Sequence, residues 1–179
     1  MPGLPVPTPA TAAAGNFLTS ALWNAQVRDA VTFLSQPPRF NGSCVALPAA
    51  PASGTEVVIP LDTEDVDSEG GHSTTVNTTR YTCQVAGFYM ISAHLAFVSN
   101  ATGMRVMDIK VNGGICPGGR VTSGQPTTSV SLALNNVVHI YLNVGDYVEF
   151  SGTQFSGAAL GLAGSTAYNP RLSVCWMSA

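Results

Sequence analysis

Half of the chain's ten acidic residues fall in one stretch, LDTEDVDSEGGH, as Asp62, Glu64, Asp65, Asp67 and Glu69. Alternate carboxylates along an extended segment can aim their oxygens at one cation, and Asp65-x-Asp67-x-Glu69-Gly70 imitates the start of a calcium loop. Such a loop needs a carboxylate at its twelfth position, which here is Val76. The stretch is therefore read as a solvated acidic loop, with a looser calcium site on Asp62, Asp65, Asp67 and Glu69 as the alternative. His72, His94 and His139 have no metalloprotease spacing. The last two fall on the less apolar face of expected strands and read as hydrogen-bonded sheet residues. A second reading has them meet near an assembly axis and make assembly pH-sensitive. Cys44, Cys83, Cys116 and Cys175 form no Cys-x-x-Cys pair and read as small buried side chains, Cys44–Cys175 being the one candidate bridge. No nucleophile elbow, phosphate loop or dinucleotide fingerprint occurs. The remaining acids, Asp29, Glu56, Asp108, Asp146 and Glu149, fall mostly in expected strands and turns rather than as a cleft pair. No catalysis and no cofactor are expected.

The elements that carry these residues are mostly strands. In YTCQVAGFYMISAHLAFV the period is two, with Tyr89, Ile91, Ala93, Leu95 and Phe97 on one face and Phe88, Met90, Ser92, His94 and Ala96 on the other. Val130, Leu132, Leu134, Val138, Ile140 and Leu142 alternate inward in the same way, up to Gly145-Asp146. MRVMDIKVNGG, DYVEFSG and RLSVCWM repeat the pattern, with Asn-Gly and Gly-Gly as turn punctuation. Many short strands with turns between them predict an antiparallel β-sandwich or jelly roll over 37–179.

One helix is expected ahead of the strands, over 19–36. Thr19 or Ser20 supplies the N-cap, and Trp23, Val27, Ala30, Val31 and Leu34 make one apolar stripe. Pro37-Pro38 ends it. Residues 1–18 are a Pro/Ala-rich arm, extended and without hydrogen bonds of its own. A helix this short is marginal alone, so its stripe needs a partner: its own β-domain, a neighbouring protein, or copies of itself.

Charged residues are 9% of the chain against a usual share of about 25%, and Lys110 is the one lysine. With a net charge of −3 there is no basic footprint for nucleic acid or for an anionic membrane. No stretch is long and apolar enough to insert in a bilayer, and the first residues lack the pattern of a secretory signal, so a product assembled in the cytoplasm is expected.

Further motifs carry a resemblance. Tyr81, Thr82, Cys83, Val85, Gly87, Tyr89 and His94, in TRYTCQVAGFYMISAHLAF, resemble the complement-type globular head of the tumour-necrosis-factor-like jelly-roll superfamily. IKVNGG, IYLNVGDYVEF and FSGAALGL resemble that family's later segments, in the same order. The resemblance implies a jelly roll that assembles as a homotrimer and serves display or binding. It also implies that Gly87 and Gly145 make tight turns, while Tyr89 and Val148 fill the sandwich.

A second, shorter resemblance lies at the front. AGNFLTSALWNAQVRDAVTFLSQPP is similar to the opening of structural proteins of tailed phages, especially those of actinobacteria, through Gly15, Leu18, Thr19, Asn24, Arg28, Asp29, Phe33, Leu34 and Pro37. Together the two imply a non-enzymatic virion protein: a trimeric jelly-roll knob on the particle surface. Residues 1–36 would dock it on a capsid or tail protein, with Leu18, Leu22, Trp23, Val27, Val31 and Leu34 as anchors. Capsid decoration is the expected role. The alternative is a minor tail protein that binds a host-surface glycan, with Phe155 and Tyr168 as exposed loop aromatics.

Overall fold

The structure, a computed structural model, describes residues 6–8, 15, 17, 19–124 and 130–179. Most of the expected arm, including its anchor Leu18, lies outside the described residues. Of those described, Val6 is half-buried against the domain's own core.

The expected helix is present, with a π-helical turn inside it. Thr19 caps it, its hydroxyl accepting the amide of Leu22 at 3.2 Å. Helix α1 (Ser20–Trp23) runs into a π-helical turn over Asn24–Arg28, and α2 (Asp29–Ser35) completes it. A π turn closes i→i+5 bonds and so shifts the angular phase of everything after it. The amide of Gln36 bonds the Thr32 carbonyl at 2.9 Å, and the two prolines then stop the helix.

Ten strands follow: β1 (Arg39–Ser43), β2 (Glu56–Val58), β3 (Thr63–Asp67), β4 (Tyr81–Thr82), β5 (Gly87–Phe97), β6 (Arg105–Val111), β7 (Gly114–Ser123), β8 (Leu132–Leu142), β9 (Tyr147–Gln154) and β10 (Arg171–Ser178). All pair antiparallel, in two sheets. The first has the order β3-β1-β10-β5-β8; the second has β2-β9-β6-β7, with β4 also on β9. The result is the expected all-β sandwich, a jelly roll behind one short helix. Its core lies between the sheets, where Tyr89, Ile91, Leu95, Val174 and Leu172 of the first meet Met107, Ile109, Val148 and Phe150 of the second. The alternation read from β5 and β8 holds from Leu132 to Leu142, but Val130 precedes β8 and is exposed. In the β6–β7 hairpin Asn112 and Gly113 both take positive φ, 52° and 80°, as a two-residue hairpin of matching twist requires.

Of the two implied turn glycines, Gly145 is one: it has φ +91° in the turn where the Asp146 amide bonds the Asn143 carbonyl at 3.1 Å. Gly87 is a correction. It opens β5, and a Cβ there would lie 2.3 Å from Trp176 Nε1 and 2.4 Å from the Ser178 carbonyl, so close approach rather than a turn demands glycine.

The registers define two poles. β1 begins where β10 ends, with Arg39 opposite Cys175, and Trp176 donates its amide to the Pro38 carbonyl. The helix, the start of β5 and the end of β8 are therefore at one pole. The loops 98–104 and 155–170 lie at the other, as does the end of β1 at Ser43, opposite Arg171.

Candidate functional site

Three surfaces answer to the sequence expectations: the helix, the outer face of the first sheet, and the loops at the far pole. On the helix, Phe33 alone among the described residues is buried. Its ring stands edge-on to Trp176, centroids 4.8 Å apart at 87°. Trp176 is itself fixed through Nε1, which donates to the Ala86 carbonyl at 3.2 Å. The helix thus docks on its own domain through a residue outside the expected stripe. Leu22, Trp23, Val27, Val31 and Leu34 remain 36–71% exposed.

The two outer faces of the sandwich differ in chemistry. On the second sheet, Lys110 pairs with Glu56, Arg120 grips Asp108 through two bonds of 2.8 and 2.7 Å, and Arg80 reaches Glu149 at 2.9 Å. Burial alone would raise the Glu56 carboxyl, but Lys110 and the Ser151 hydroxyl outweigh it and hold it below its usual range. This face is a lattice of opposite charges. On the first sheet the outward residues of β10, β5 and β8 are polar toward the far pole and apolar toward the helix. Ser92, His94, Asn135, Val137, Arg171 and Ser173 line a hollow of about 150 Å³. His94 Nδ1 lies 2.8 Å from Asn135 Oδ1. Toward the helix come Met90 and Phe88, whose ring meets Tyr141 edge-on at 5.2 Å, with Met177 on β10. Phe88, Met90, Val137, Tyr141 and Met177 are 38–56% exposed and continuous through the ladder.

The acidic stretch is a correction. It contains strand β3 rather than a solvated loop, and its carboxylates are engaged separately. Asp62 accepts the amides of Val45 and Ala46 at 2.8 and 2.6 Å and the Thr63 hydroxyl at 3.0 Å. Burial would raise its carboxyl, yet these bonds dominate and hold it low. Asp65 pairs with Arg171 of β10 at 2.7 Å, across the intervening β1. Asp67 accepts the amides of Gly71 and His72, closing the following turn. Glu64 lies 2.6 Å from Nδ1 of His72, whose Nε2 is 3.1 Å from the Thr78 carbonyl, so this imidazole is a buried link within the domain. Glu69 stays apart, its carboxyl pushed up by burial. Among the described residues no three His, Cys, Asp or Glu side chains converge as a metal group. The structure thus engages Asp62, Asp65, Asp67 and Glu69 in separate contacts and does not gather them into one group.

The candidate bridge also fails. β1 and β10 do lie side by side, but Cys175 pairs with Arg39 whereas Cys44 follows β1 at its other end, bonded to Pro170. Five residues of extended chain separate them by roughly 16 Å, well beyond disulfide reach. All four thiols are free, and burial, with Asp62 nearby, pushes that of Cys44 up to about 11.

At the far pole Phe155 and Tyr168 are exposed. One anchor of the loops there was not read from sequence. Arg105 is fully buried with no carboxylate partner among the described residues, and its guanidinium donates to the carbonyls of Asn100, Thr102, Gly103 and Met104 at 2.9–3.3 Å. Beside it Gln154 donates to the carbonyls of Pro51 and Ala158.

Solved structures with this architecture include the globular domain of zebrafish complement 1qA protein, 18% identical, covering 78% of this chain and 97% of that one with a TM-score of 0.53. Murine APRIL is similar as well: its structure at pH 8.5 is 12% identical over 77% of this chain and 98% of that one, TM-score 0.55, and its pH 5.0 structure is 11% identical with the same coverage, TM-score 0.54. At these identities the likeness is one of fold: a complement- and tumour-necrosis-factor-like jelly roll. No family model matches the sequence, and no curated protein does. The likeness of the front segment to phage structural proteins rests on the sequence alone.

Proposed function

We propose that this jelly roll is a non-enzymatic structural protein of a tailed-phage virion: a homotrimeric knob on the particle surface, held to a capsid protein by its N-terminal arm and helix. The observation that carries the reading is the polar arrangement of the molecule. The exposed side chains Leu22, Trp23, Val27, Val31 and Leu34 and the apolar end of the first sheet share one pole, while the exposed loops face the other way. One end is made to be covered and the other to be presented.

Full burial of a large apolar side chain contributes roughly 1.5–3 kcal/mol. The five stripe residues, about half exposed, would supply on the order of 4–8 kcal/mol per copy before the cost of association. One helix gives weak docking by that measure, and three helices in one trimer bind far more tightly through avidity. Copies associate through the outer face of β10, β5 and β8, which carries the exposed apolar group, rather than through the charge lattice of the other sheet.

The test uses particles lacking the protein, to which the full chain and a chain without the first 36 residues are added with a label. Label spread over the head, and lost with the truncation, is the expected result; equal binding by the truncated chain overturns the anchoring role. The exposed loop aromatics Phe155 and Tyr168 favour a second reading, a minor tail protein that recognises a host-surface glycan. Label confined to the tail, with retention of the purified trimer by host cells, would establish it instead.

A further inference from the structure

Two of the chain's three histidines project from the face to which self-association is assigned. His139 is exposed on β8, directly across the ladder from Met90 and flanked on its own strand by Val137 and Tyr141. Its imidazole thus sits in the apolar half of the face. His94, in the polar half, is in register with Asn135 on one side and Arg171 on the other, and its Nε2 is shielded from solvent without a partner.

The charged and titratable groups around these two rings are few. β10 contributes Arg171 and Cys175, β1 contributes Arg39, and β3 contributes Asp65, which pairs with Arg171. Tyr141 lies on β8 itself. β7, along the other edge of β8, turns its Arg120 to Asp108 of β6 and holds Cys116 buried. One carboxylate therefore stands against two arginines on this face. Protonating both imidazoles adds two positive charges per copy where, among the described residues, the one carboxylate is already paired.

Covering His139 with the apolar surface of a second copy removes its water, which disfavours the charged ring. The same contact brings like charges together across the interface. We propose that assembly through this face requires His139 and His94 to be neutral, so that copies associate above, and separate below, the pH at which imidazoles take up a proton. The sign follows from linkage: the separated copies bind more protons, so the association constant falls with pH by about tenfold per unit for each imidazole that must lose its proton.

This inference rests on the proposed self-association, and one experiment separates the two. The mass of the full-length chain is measured by light scattering from about pH 8 to about pH 5, either side of the imidazole range, with far-UV circular dichroism on the same samples. The expected result is a trimeric mass at the upper end, a monomeric mass at the lower end with an unchanged spectrum, and a double variant, His139→Gln with His94→Gln, that stays trimeric throughout. His72, left in place, controls for the third imidazole. A trimer that persists to the acid end overturns the pH gate and leaves self-association standing. So does a double variant that separates with the wild type, or a mass loss that accompanies loss of the spectrum. A monomer at the upper end overturns self-association and the gate with it.

Discussion

Replacing Phe33 with alanine should free the helix without unfolding the sandwich. Phe33 is 4% exposed and is the one buried residue on the described helix, so the docking free energy is concentrated in it. Burying the ring contributes roughly 1.5–3 kcal/mol, and its edge-on pairing with Trp176 adds about 0.5–1.5 kcal/mol. The loss is therefore about 2–4.5 kcal/mol, or roughly 30- to 2,000-fold in the docked-to-free ratio. A freed helix of this length melts in water. Amide hydrogen exchange, followed peptide by peptide, should show protection over 20–35 falling by that factor while β5 and β10 exchange as before. If the helical amides stay protected, other contacts hold the helix and the argument from burial is wrong. If β5 loses protection as well, the helix belongs to the folding unit and is not an appendage.

Other expectations follow from the same geometry. Gly87→Ala should lower the melting temperature by several degrees, because overpacking costs about 1–3 kcal/mol and each kcal/mol moves a chain of this size by roughly 2–4 °C; a wild-type melt would refute the close approach at Trp176. Asp62, held below its ordinary range, contributes stability that is present above the unfolded carboxyl value near about 3.9 and is lost as pH falls through the lower folded value. The melting temperatures of wild type and Asp62→Asn should accordingly differ at neutral pH and converge in strong acid, and a gap that persists in acid would contradict this. Unfolding without reductant should expose all four thiols to a maleimide, read as four mass additions; two additions would mean that a pair is bridged.

How far the sequence could be read depended on which interactions leave a trace in it. β5 and β8 were legible because a face buried against a second sheet forces a strict period of two. The Asn112-Gly113 hairpin was legible because few residue pairs take positive φ twice. The π turn over Asn24–Arg28 has no such signature: the same side chains suit an α-helix, and only the hydrogen bonds shift. That shift is one reason why Phe33, off the straight stripe, became the docking residue. The acidic stretch misled because charge density suggests loops, whereas Asp62 and Asp67 each accept two backbone amides and Asp65 takes an arginine. The mixed outer face of β5 was visible in the sequence. Its continuity with Val137, Tyr141 and Met177 was not, since that depends on the register of three strands.

The seam between β1 and β10 has a practical consequence for anyone who wishes to attach cargo to this domain. A fluorescent protein or epitope fused after β10 would emerge beside Pro38 and crowd the helix, and its interference would be easily mistaken for a loss of function. The exposed turn 164–168, at the opposite pole, offers an insertion point away from both the helix and the uncovered sheet face. Gln154 and Ser156 fasten the near end of its loop by hydrogen bonds, so a passenger placed there would hang from an already tethered support.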